Sequence, residues 1–179
     1  MAPWLLIACG YPFSGKSTLA MRIADMIDCE IVSVDDLHTR HGVNIETDSV
    51  RDRDWLLAYK SAYQDTEHHL AEGRSVIFDS IGYMRKDRDR LRRLADRHES
   101  ESLMIWLDVP VSVARQRLER NRSLRNRPNV PIGNFERIVS EFEPPSPDEA
   151  HITYGPASDH TEWVQQTLIP ILESKVTRA

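Results

Sequence analysis

The feature that most constrains this chain is the segment Gly10–Ser17, which reads Gly-Tyr-Pro-Phe-Ser-Gly-Lys-Ser and follows an apolar run at Trp4–Cys9. It matches the pattern G-x-x-x-x-G-K-[ST], which joins a buried strand to a helix. A helical period over Lys16–Ile27 supports that placement. A chance match in a chain of this length has a probability of roughly 1% from typical residue frequencies. The segment therefore predicts a phosphate-binding loop.

Each position of this loop has a chemical reason. The glycines let backbone amides surround a phosphate without interference from a Cβ atom, and the amides and the following helix N-terminus supply positive potential. Lys16 can reach the β- and γ-phosphates of a nucleotide, and Ser17 can bind Mg²⁺. The predicted nucleotide-binding residues are Gly10, Tyr11, Pro12, Phe13, Ser14, Gly15, Lys16, Ser17 and Thr18.

The rest of the chain alternates between strand and helix patterns. Strands are predicted at 4–9, 30–34, 75–78, 103–107 and 151–154. Helices are predicted at 16–27, 52–72, 85–98, 111–122, 132–142 and 162–173, with loops at 38–51 and 123–131. The aromatic stripe Trp55, Tyr59 and Tyr63 is interpreted first as core packing and second as a wall of an acceptor pocket.

This alternation predicts an α/β fold with three layers, in which a five-stranded parallel sheet carries helices on both faces. Ligands bind such sheets at the carboxyl ends of the strands. The candidate site therefore comprises the loop at 10–18 together with Asp35, Asp36, Asp79 and Asp108, which lie at the ends of the second, third and fourth strands.

Composition restricts the class of protein. The chain has 179 residues, of which 40% are hydrophobic and 28% charged, so we expect a single domain over 1–179. No run of 18 apolar residues indicates a membrane span, and no secretory signal is visible at the N-terminus. Cys9 and Cys29 do not form a disulfide framework. A cytoplasmic protein without a membrane partner is expected.

Six arginines lie within thirteen residues, although the formal net charge of the chain is −5. They are Arg115, Arg117, Arg120, Arg122, Arg125 and Arg127. A solvated helix face is the ordinary interpretation of such a run. The acidic remainder argues against a protein that coats nucleic acid by bulk charge. A compact phosphate target and an arginine-rich lid over about 121–135 fit the pattern better.

Other nucleotide-binding classes have less support. No G-x-G-x-x-G dinucleotide pattern occurs. Asp79-Ser-Ile-Gly82 fits the short D-x-x-G of GTPases, but no N-K-x-D guanine-recognition motif accompanies it. The length is short for a mechanical ATPase with accessory elements. A small kinase is the favoured interpretation.

The order of motifs resembles the P-loop kinase group that includes phage polynucleotide 5′-kinase, zeta-toxin-like kinases and chloramphenicol phosphotransferase, which are AAA-type ATP-binding domains. The resemblance rests on the loop at 10–18, Val34-Asp35-Asp36, Phe78-Asp79-Ser80, Leu107-Asp-Val-Pro110 and the arginine-rich helix leading to Arg125 and Val130-Pro131-Ile132. It implies a P-loop NTPase fold. Residues 38–55, expected near the acceptor, match none of these proteins.

The resemblance also implies roles for the candidate residues. Asp35 would be the general base, with Asp36 as the second candidate base or a helix cap that also contacts substrate. Asp79 would hold Mg²⁺ through water or orient substrate. Arg117 would pack against adenine, and Arg120 and Arg125 would bind phosphate from the lid.

Together these observations predict a kinase that uses ATP and Mg²⁺ to phosphorylate a hydroxyl of a small molecule such as a metabolite, nucleoside or antibiotic. The net charge favours this acceptor class, whereas Asp35 and Arg125 resemble a polynucleotide 5′-hydroxyl kinase. A third hypothesis is a regulatory nucleotide-binding ATPase without an acceptor.

Overall fold

Five parallel strands form one sheet in the computed structural model, which describes residues 3–42, 44, 46, 52–125 and 128–176, with side chains omitted at 175 and 176. The strands are β1 (Trp4–Cys9), β2 (Cys29–Ser33), β3 (Ser75–Asp79), β4 (Glu101–Leu107) and β5 (His151–Tyr154). Their order across the sheet is β2-β3-β1-β4-β5. The predicted α/β fold is confirmed, and β1 places the phosphate loop at the centre of one sheet edge.

Strand β1 is buried along its whole length, as expected when a parallel sheet is covered on both faces. Successive side chains point to opposite faces. Leu5, Ile7 and Cys9 therefore join one core cluster, whereas Trp4 and Leu6 join another.

The helices are α1 (Lys16–Met26), α2 (Val34–Arg40), α3 (Asp52–Ala71), α4 (Arg85–Arg97), α5 (Val111–Leu124), α6 (Ile132–Glu141), α7 (His160–Trp163) and α8 (Ile169–Val176). Buried residues of α2, α3 and α4 cover one face of the sheet. Buried residues of α1 and of the segment from α7 through Leu168 cover the other.

Helices α5 and α6 pack against the phosphate loop through a third, smaller cluster. It contains Phe13 from the loop, Ala114 and Leu118 from α5, and Phe135 from α6. The side chains of Arg115 and Glu136 form a bidentate ion pair between the same two helices. The arginine-rich region is thus attached directly to the loop.

Two predicted loops are partly wrong. Residues 38–40 belong to α2, because the side chain of Ser33 caps a helix that begins at Val34. Val34 is accordingly the first residue of α2 and not the last of β2. Residues 123 and 124 continue α5. The remaining predicted loop positions at 43, 45, 47–51, 126 and 127 lie outside the described residues.

The C-terminal helix α8 contains Pro170 and continues to Val176, three residues past the predicted end at 173. A π-helical turn at Val164–Leu168 immediately precedes α8. Proline lacks the backbone N–H that an α-helix requires at its interior, and a π-helical turn changes the bonding pattern locally.

No helix among the described residues combines the length and apolar character needed to cross a bilayer.

Candidate functional site

Close packing fixes the backbone of the loop Gly10–Ser17. A Cβ atom on Gly10 would lie 2.9 Å from Oγ of Ser14 and 3.2 Å from the carbonyl oxygen of Leu107, so only glycine fits. Gly15 caps α1 with a φ of +108°, which glycine adopts without strain. The amide of Gly10 donates to the carbonyl oxygen of Ile81 at 3.0 Å. The loop is thereby bonded to the connection that follows β3.

Phe13 has a left-handed φ of +64°, a conformation that costs a residue with a side chain roughly 1 kcal/mol or more. Two contacts hold it there. Its side chain is buried in the cluster with α5 and α6. Nη1 of Arg117 donates to the carbonyl oxygens of Phe13 at 3.3 Å and Ser14 at 2.9 Å. Helix α5 therefore supports the shape of the loop.

Lys16 is buried beneath the loop. Its Nζ donates to the carbonyl oxygens of Gly10 at 3.0 Å and Tyr11 at 2.8 Å. These bonds hold the ammonium group against the backbone of the loop. A phosphate bound by the loop amides would compete with the two carbonyl oxygens for the same charge.

Asp79 ends β3 beside the loop, is 6% exposed and is hydrogen-bonded to Ser17. Burial raises the pKa of its carboxyl, while the charge of Lys16 and the bond from Ser17 lower that pKa only in part. A cation next to Asp79 would favour the ionised carboxylate. Mg²⁺ is usually held by one or two carboxylates together with substrate phosphates. It therefore does not need three His, Cys, Asp or Glu ligands, and the described residues contain no such group.

Asp35 and Asp36 lie in the first turn of α2, where the positive end of the helix favours acidic residues. The hydroxyl of Ser33 accepts from the amide of Asp36 at 3.3 Å, so Ser33 caps α2 and the capping role considered for Asp36 is wrong. Asp35 is exposed to solvent, yet the protein packed around its carboxyl raises its pKa by desolvation. Lys16 lowers this pKa and Asp36 raises it further. Lys16 therefore acts electrostatically on both Asp35 and Asp79.

A cavity of about 450 Å³ opens on the opposite side of the loop. Its lining includes Gly15 and Thr18 from the loop, Arg117 and Arg120 from α5, and residues of the connection after β5. That last wall runs from the end of β5 to the start of α7 and contains Tyr154, Pro156, Ser158 and His160. Strand β1, which leads into the loop, is the central strand of the sheet. The carboxylates lie at the ends of β2 and β3, whereas the cavity lies at the ends of β4 and β5. The carboxylates and the cavity therefore flank the loop on opposite sides.

The predicted arginines have different environments. Arg117 and Arg120 line the cavity, whereas Arg115 is paired with Glu136. Arg125 is exposed at the end of α5 with a φ of +48°. Arg122 is also exposed, and Arg127 lies outside the described residues.

A buried ionic clasp, which the sequence pattern did not indicate, links α4 and the connection after β3 to the segment before β5. Glu149 accepts from Nε and Nη2 of Arg88, each at 2.7 Å, and from Arg92 at 2.8 Å. Nη1 of Arg88 donates to the carbonyl oxygens of Gly82 and Glu143. Arg88 precedes the apolar stripe Leu91 and Leu94 by one helical turn, so its burial had a sequence signal. Glu149 had none.

The aromatic stripe of α3 also contacts a histidine of α2, which the sequence did not indicate. The hydroxyl of Tyr59 forms a hydrogen bond with the side chain of Ser80. His38 on α2 stacks on Trp55 of α3, with ring centroids 4.2 Å apart. Neither ring nitrogen of the fully buried His38 has a hydrogen-bond partner in the described structure. The stripe Trp55, Tyr59 and Tyr63 packs against the main core, as predicted.

Comparison with known proteins identifies the family of this chain. The AAA domain family AAA_33 matches residues 5–145. The chain belongs to this family. The P-loop NTPase fold and the predicted membership of the P-loop kinase group are confirmed.

Relatives within this group are distant in sequence. The adenylyl-sulfate kinase of Saccharomyces cerevisiae is 28% identical over 148 residues, which cover 80% of this chain and 71% of that protein. Kti12 of Chaetomium thermophilum, solved with ADP-AlF3, superimposes with a TM-score of 0.73 at 21% identity, covering 94% and 97% of the two chains. The APS kinase CysC of Mycobacterium tuberculosis, solved with AMPPNP and APS, gives 0.68 at 19% identity, covering 96% and 98%.

Proposed function

We propose that this AAA_33 protein is a kinase that transfers the γ-phosphate of ATP to a hydroxyl group of a small molecule. The observation that carries the proposal is the arrangement around Lys16. This cation lies under a phosphate loop and acts electrostatically on the carboxylates of Asp35 and Asp79 at neighbouring strand ends. The names of the yeast relative and of the mycobacterial structure, both kinases, support phosphoryl transfer.

The cavity beside α5 is the nucleotide side of the site. Its volume of about 450 Å³ lies within the size range of cofactor pockets. It opens directly from Gly15 and Thr18, so a nucleotide whose phosphates occupy the loop extends its base and ribose into it. Arg117 already lies over the loop, and its planar guanidinium suits stacking on the adenine base. The remaining loop residues Tyr11, Pro12, Phe13 and Ser14 shape the phosphate cradle.

The carboxylates form the acceptor side. Asp35 accepts the proton of the acceptor hydroxyl as its oxygen bonds to the γ-phosphorus, and the bond from that phosphorus to the β–γ bridging oxygen breaks to release ADP. Lys16 exchanges its carbonyl partners for β- and γ-phosphate oxygens and stabilises the charge on the transferring group. Asp36 and Asp79 orient the acceptor beside Asp35.

Ser17 and Asp79 are the residues that would hold Mg²⁺. Their hydrogen bond places a hydroxyl and a buried carboxylate together at the start of α1, a donor set that fits this hard cation. When bound, Mg²⁺ neutralises charge on the β- and γ-phosphate oxygens.

We assign residues 121–135, within the single domain 1–179, as a lid that excludes water during transfer. Its described part between α5 and α6, residues 128–131, has no regular secondary structure. Arg120 and Arg125 approach the phosphates when the lid closes. The two free cysteines, Cys9 and Cys29, fit a reducing, cytoplasmic environment.

The test is transfer of labelled γ-phosphate from ATP in the presence of Mg²⁺ to a mixed panel of nucleosides, sugars, hydroxylated antibiotics and 5′-hydroxyl oligonucleotides. The Lys16→Ala variant is the control for contaminating kinases. We expect labelled product with one compound class and none with Lys16→Ala. Labelled 5′ ends would establish the polynucleotide alternative. Label released only as free phosphate, at one rate with every compound, would instead indicate a regulatory ATPase.

A further inference from the structure

The buried guanidinium of Arg88 joins two segments that both lie against the phosphate loop. Nη1 of Arg88 donates to the carbonyl oxygen of Gly82 at 2.7 Å, in the connection after β3. The same nitrogen donates to the carbonyl oxygen of Glu143 at 2.9 Å, in the segment after α6. The amide of Glu143 in turn donates to the carbonyl oxygen of Tyr83 at 3.0 Å. The two segments are therefore held together at one buried point.

The first of these segments holds the start of the loop. The carbonyl oxygen of Ile81 accepts from the amide of Gly10 at 3.0 Å. A Cβ atom on Gly82 would lie 3.1 Å from Sγ of Cys9 and 3.2 Å from the carbonyl oxygen of Ala8. Such close packing restricts movement of the connection relative to β1. The backbone of Gly10 is thus located by the connection that Arg88 holds.

The second segment holds the next residue of the loop. The ring of Phe142, which directly follows α6, has its centroid 4.8 Å from that of the Tyr11 ring. Trp106 of β4 stacks on Phe142 at 5.6 Å and meets the Tyr11 ring edge-on at 6.3 Å. Phe142 is buried and covalently joined to Glu143, whose carbonyl group is bonded to Arg88. The position of Tyr11 therefore also depends on Arg88.

Both chains of contacts end on the carbonyl groups that hold Lys16. Its Nζ donates to the carbonyl oxygen of Gly10 at 3.0 Å and to that of Tyr11 at 2.8 Å. These bonds locate the ammonium group against the loop. Misplacing a group by about 1 Å at an active site can lower a rate by about 10²-fold. The positions of Gly10 and Tyr11 consequently affect how well Lys16 meets the phosphates of a nucleotide.

We infer that Arg88 is a positioning residue that sets the location of the Lys16 ammonium group, an inference that rests on the proposed binding of ATP at the phosphate loop. Arg88 acts through the backbone of Gly82 and Glu143. A guanidinium suits this role because its rigid fork of N–H groups binds several acceptors in fixed directions. Nε and Nη2 bind the carboxylate of Glu149, and Nη1 binds the two carbonyl oxygens.

A double-mutant cycle on ATP binding tests this inference. Arg88→Lys keeps a positive charge but loses the forked donor. Phe142→Leu keeps an apolar side chain but removes the ring packed on Tyr11. We expect each variant to raise the Kd for ATP by about three- to tenfold, measured by isothermal titration. In a Lys16→Ala background each should change the Kd by less than about twofold, because the effect passes through Lys16. The same loss in both backgrounds would overturn the inference.

A stability control separates this role from a simple loss of packing. Leu70→Ala removes a buried side chain near the start of β3, at the end of the sheet away from the loop. We expect its urea unfolding midpoint to fall at least as far as that of Phe142→Leu, with the Kd for ATP unchanged within about twofold. Phe142→Leu keeps the test decisive if Arg88→Lys does not fold. A Kd that rises equally in Leu70→Ala would overturn the positioning role.

The outcome is distinguishable from a failure of the proposed function. If the cycle behaves as expected but the wild-type protein transfers labelled γ-phosphate to no acceptor, the positioning role stands and the kinase proposal is contradicted. If the wild-type protein does not bind ATP, both proposals are overturned.

Discussion

Asp79 is the residue at which function opposes stability most directly. Its carboxyl is buried beside Ser17, and burial raises its pKa despite the charge of Lys16. A buried carboxylate without a full counter-charge destabilises the folded state. An unfolded aspartate has a pKa of about 3.9. The stability associated with protonated Asp79 is therefore complete below about pH 3.9 and lost as the pH rises through the higher folded value.

Asp79→Asn should consequently stabilise the protein while inactivating it. We expect a higher Tm than wild type at pH 7–8, with the difference disappearing near pH 4, and a kcat lowered by about 10²-fold or more. Thermal unfolding across pH provides the first measurement and labelled transfer the second. A lower Tm for Asp79→Asn at neutral pH would contradict the account of this carboxylate.

Asp35 should act in the chemical step. Asp35→Asn is expected to lower kcat by roughly 10²- to 10⁴-fold, the usual contribution of general-base catalysis, with little change in ATP affinity. Because the folded pKa of Asp35 is raised, wild-type kcat should fall as the pH drops through a value above that of an ordinary aspartate. Asp36→Asn is the matched neighbour. If that variant alone loses kcat, Asp36 is the base.

At the scale of elements, α5 shapes the phosphate loop through Arg117. The sequence indicated that this arginine belongs to the site, but its bonds to the carbonyl oxygens of Phe13 and Ser14 depend on tertiary packing. The left-handed conformation of Phe13 was equally unpredictable, because a local pattern of residues does not reveal the cluster that stabilises it.

Arg117→Lys keeps the charge but loses the planar, forked donor. We expect the Kd for ATP to rise about tenfold, in line with the loss of hydrogen bonds made by a charged group. Arg115→Lys, two residues away in the same helix, pairs with Glu136 outside the loop and should change the Kd little. Isothermal titration of both variants measures the difference. If the two variants bind ATP with the same Kd, Arg117 does not support the loop.

The clasp of Arg88, Arg92 and Glu149 connects α4 to the segment before β5. Burial opposes ionisation of Glu149, but the hydrogen bonds and charges of the two arginines prevail and lower its pKa to about 2. Glutamate in an unfolded chain has a pKa of about 4.3. Because the folded value is lower, the stabilisation is present above about pH 4.3 and lost as the pH falls towards 2.

Glu149→Gln leaves Arg88 buried without a counter-charge. We expect a loss of about 3–5 kcal/mol in the free energy of unfolding, as for other broken buried pairs, and a weaker dependence of stability on pH between about 4 and 2. Urea unfolding measures both effects. Asp148→Asn, at an exposed ion pair one residue away, should leave the unfolding midpoint nearly unchanged. Similar losses in the two variants would contradict the clasp.

For the whole molecule, periodicity and one motif were sufficient to predict the layers of the fold. Buried strands and amphipathic helices carry local signals, and βαβ alternation leaves few possible topologies. Residues 38–40 were assigned wrongly because the cap formed by Ser33 is a short signal within a polar region. The cavity and the carboxylates lie on opposite sides of the loop because of the strand order. Local sequence patterns predict the strands but not their order in the sheet.

The proposed function depends on this arrangement, in which the nucleotide cavity and the carboxylates lie on opposite sides of the phosphate loop. The measurement that tests it most directly is a crystal structure with Mg²⁺ and AMPPNP. We predict the adenine base in the cavity lined by Arg117, Arg120 and the connection after β5, with the γ-phosphate directed towards Asp35. An adenine base bound beside Tyr59 and Asp87, with the cavity left open, would contradict the account.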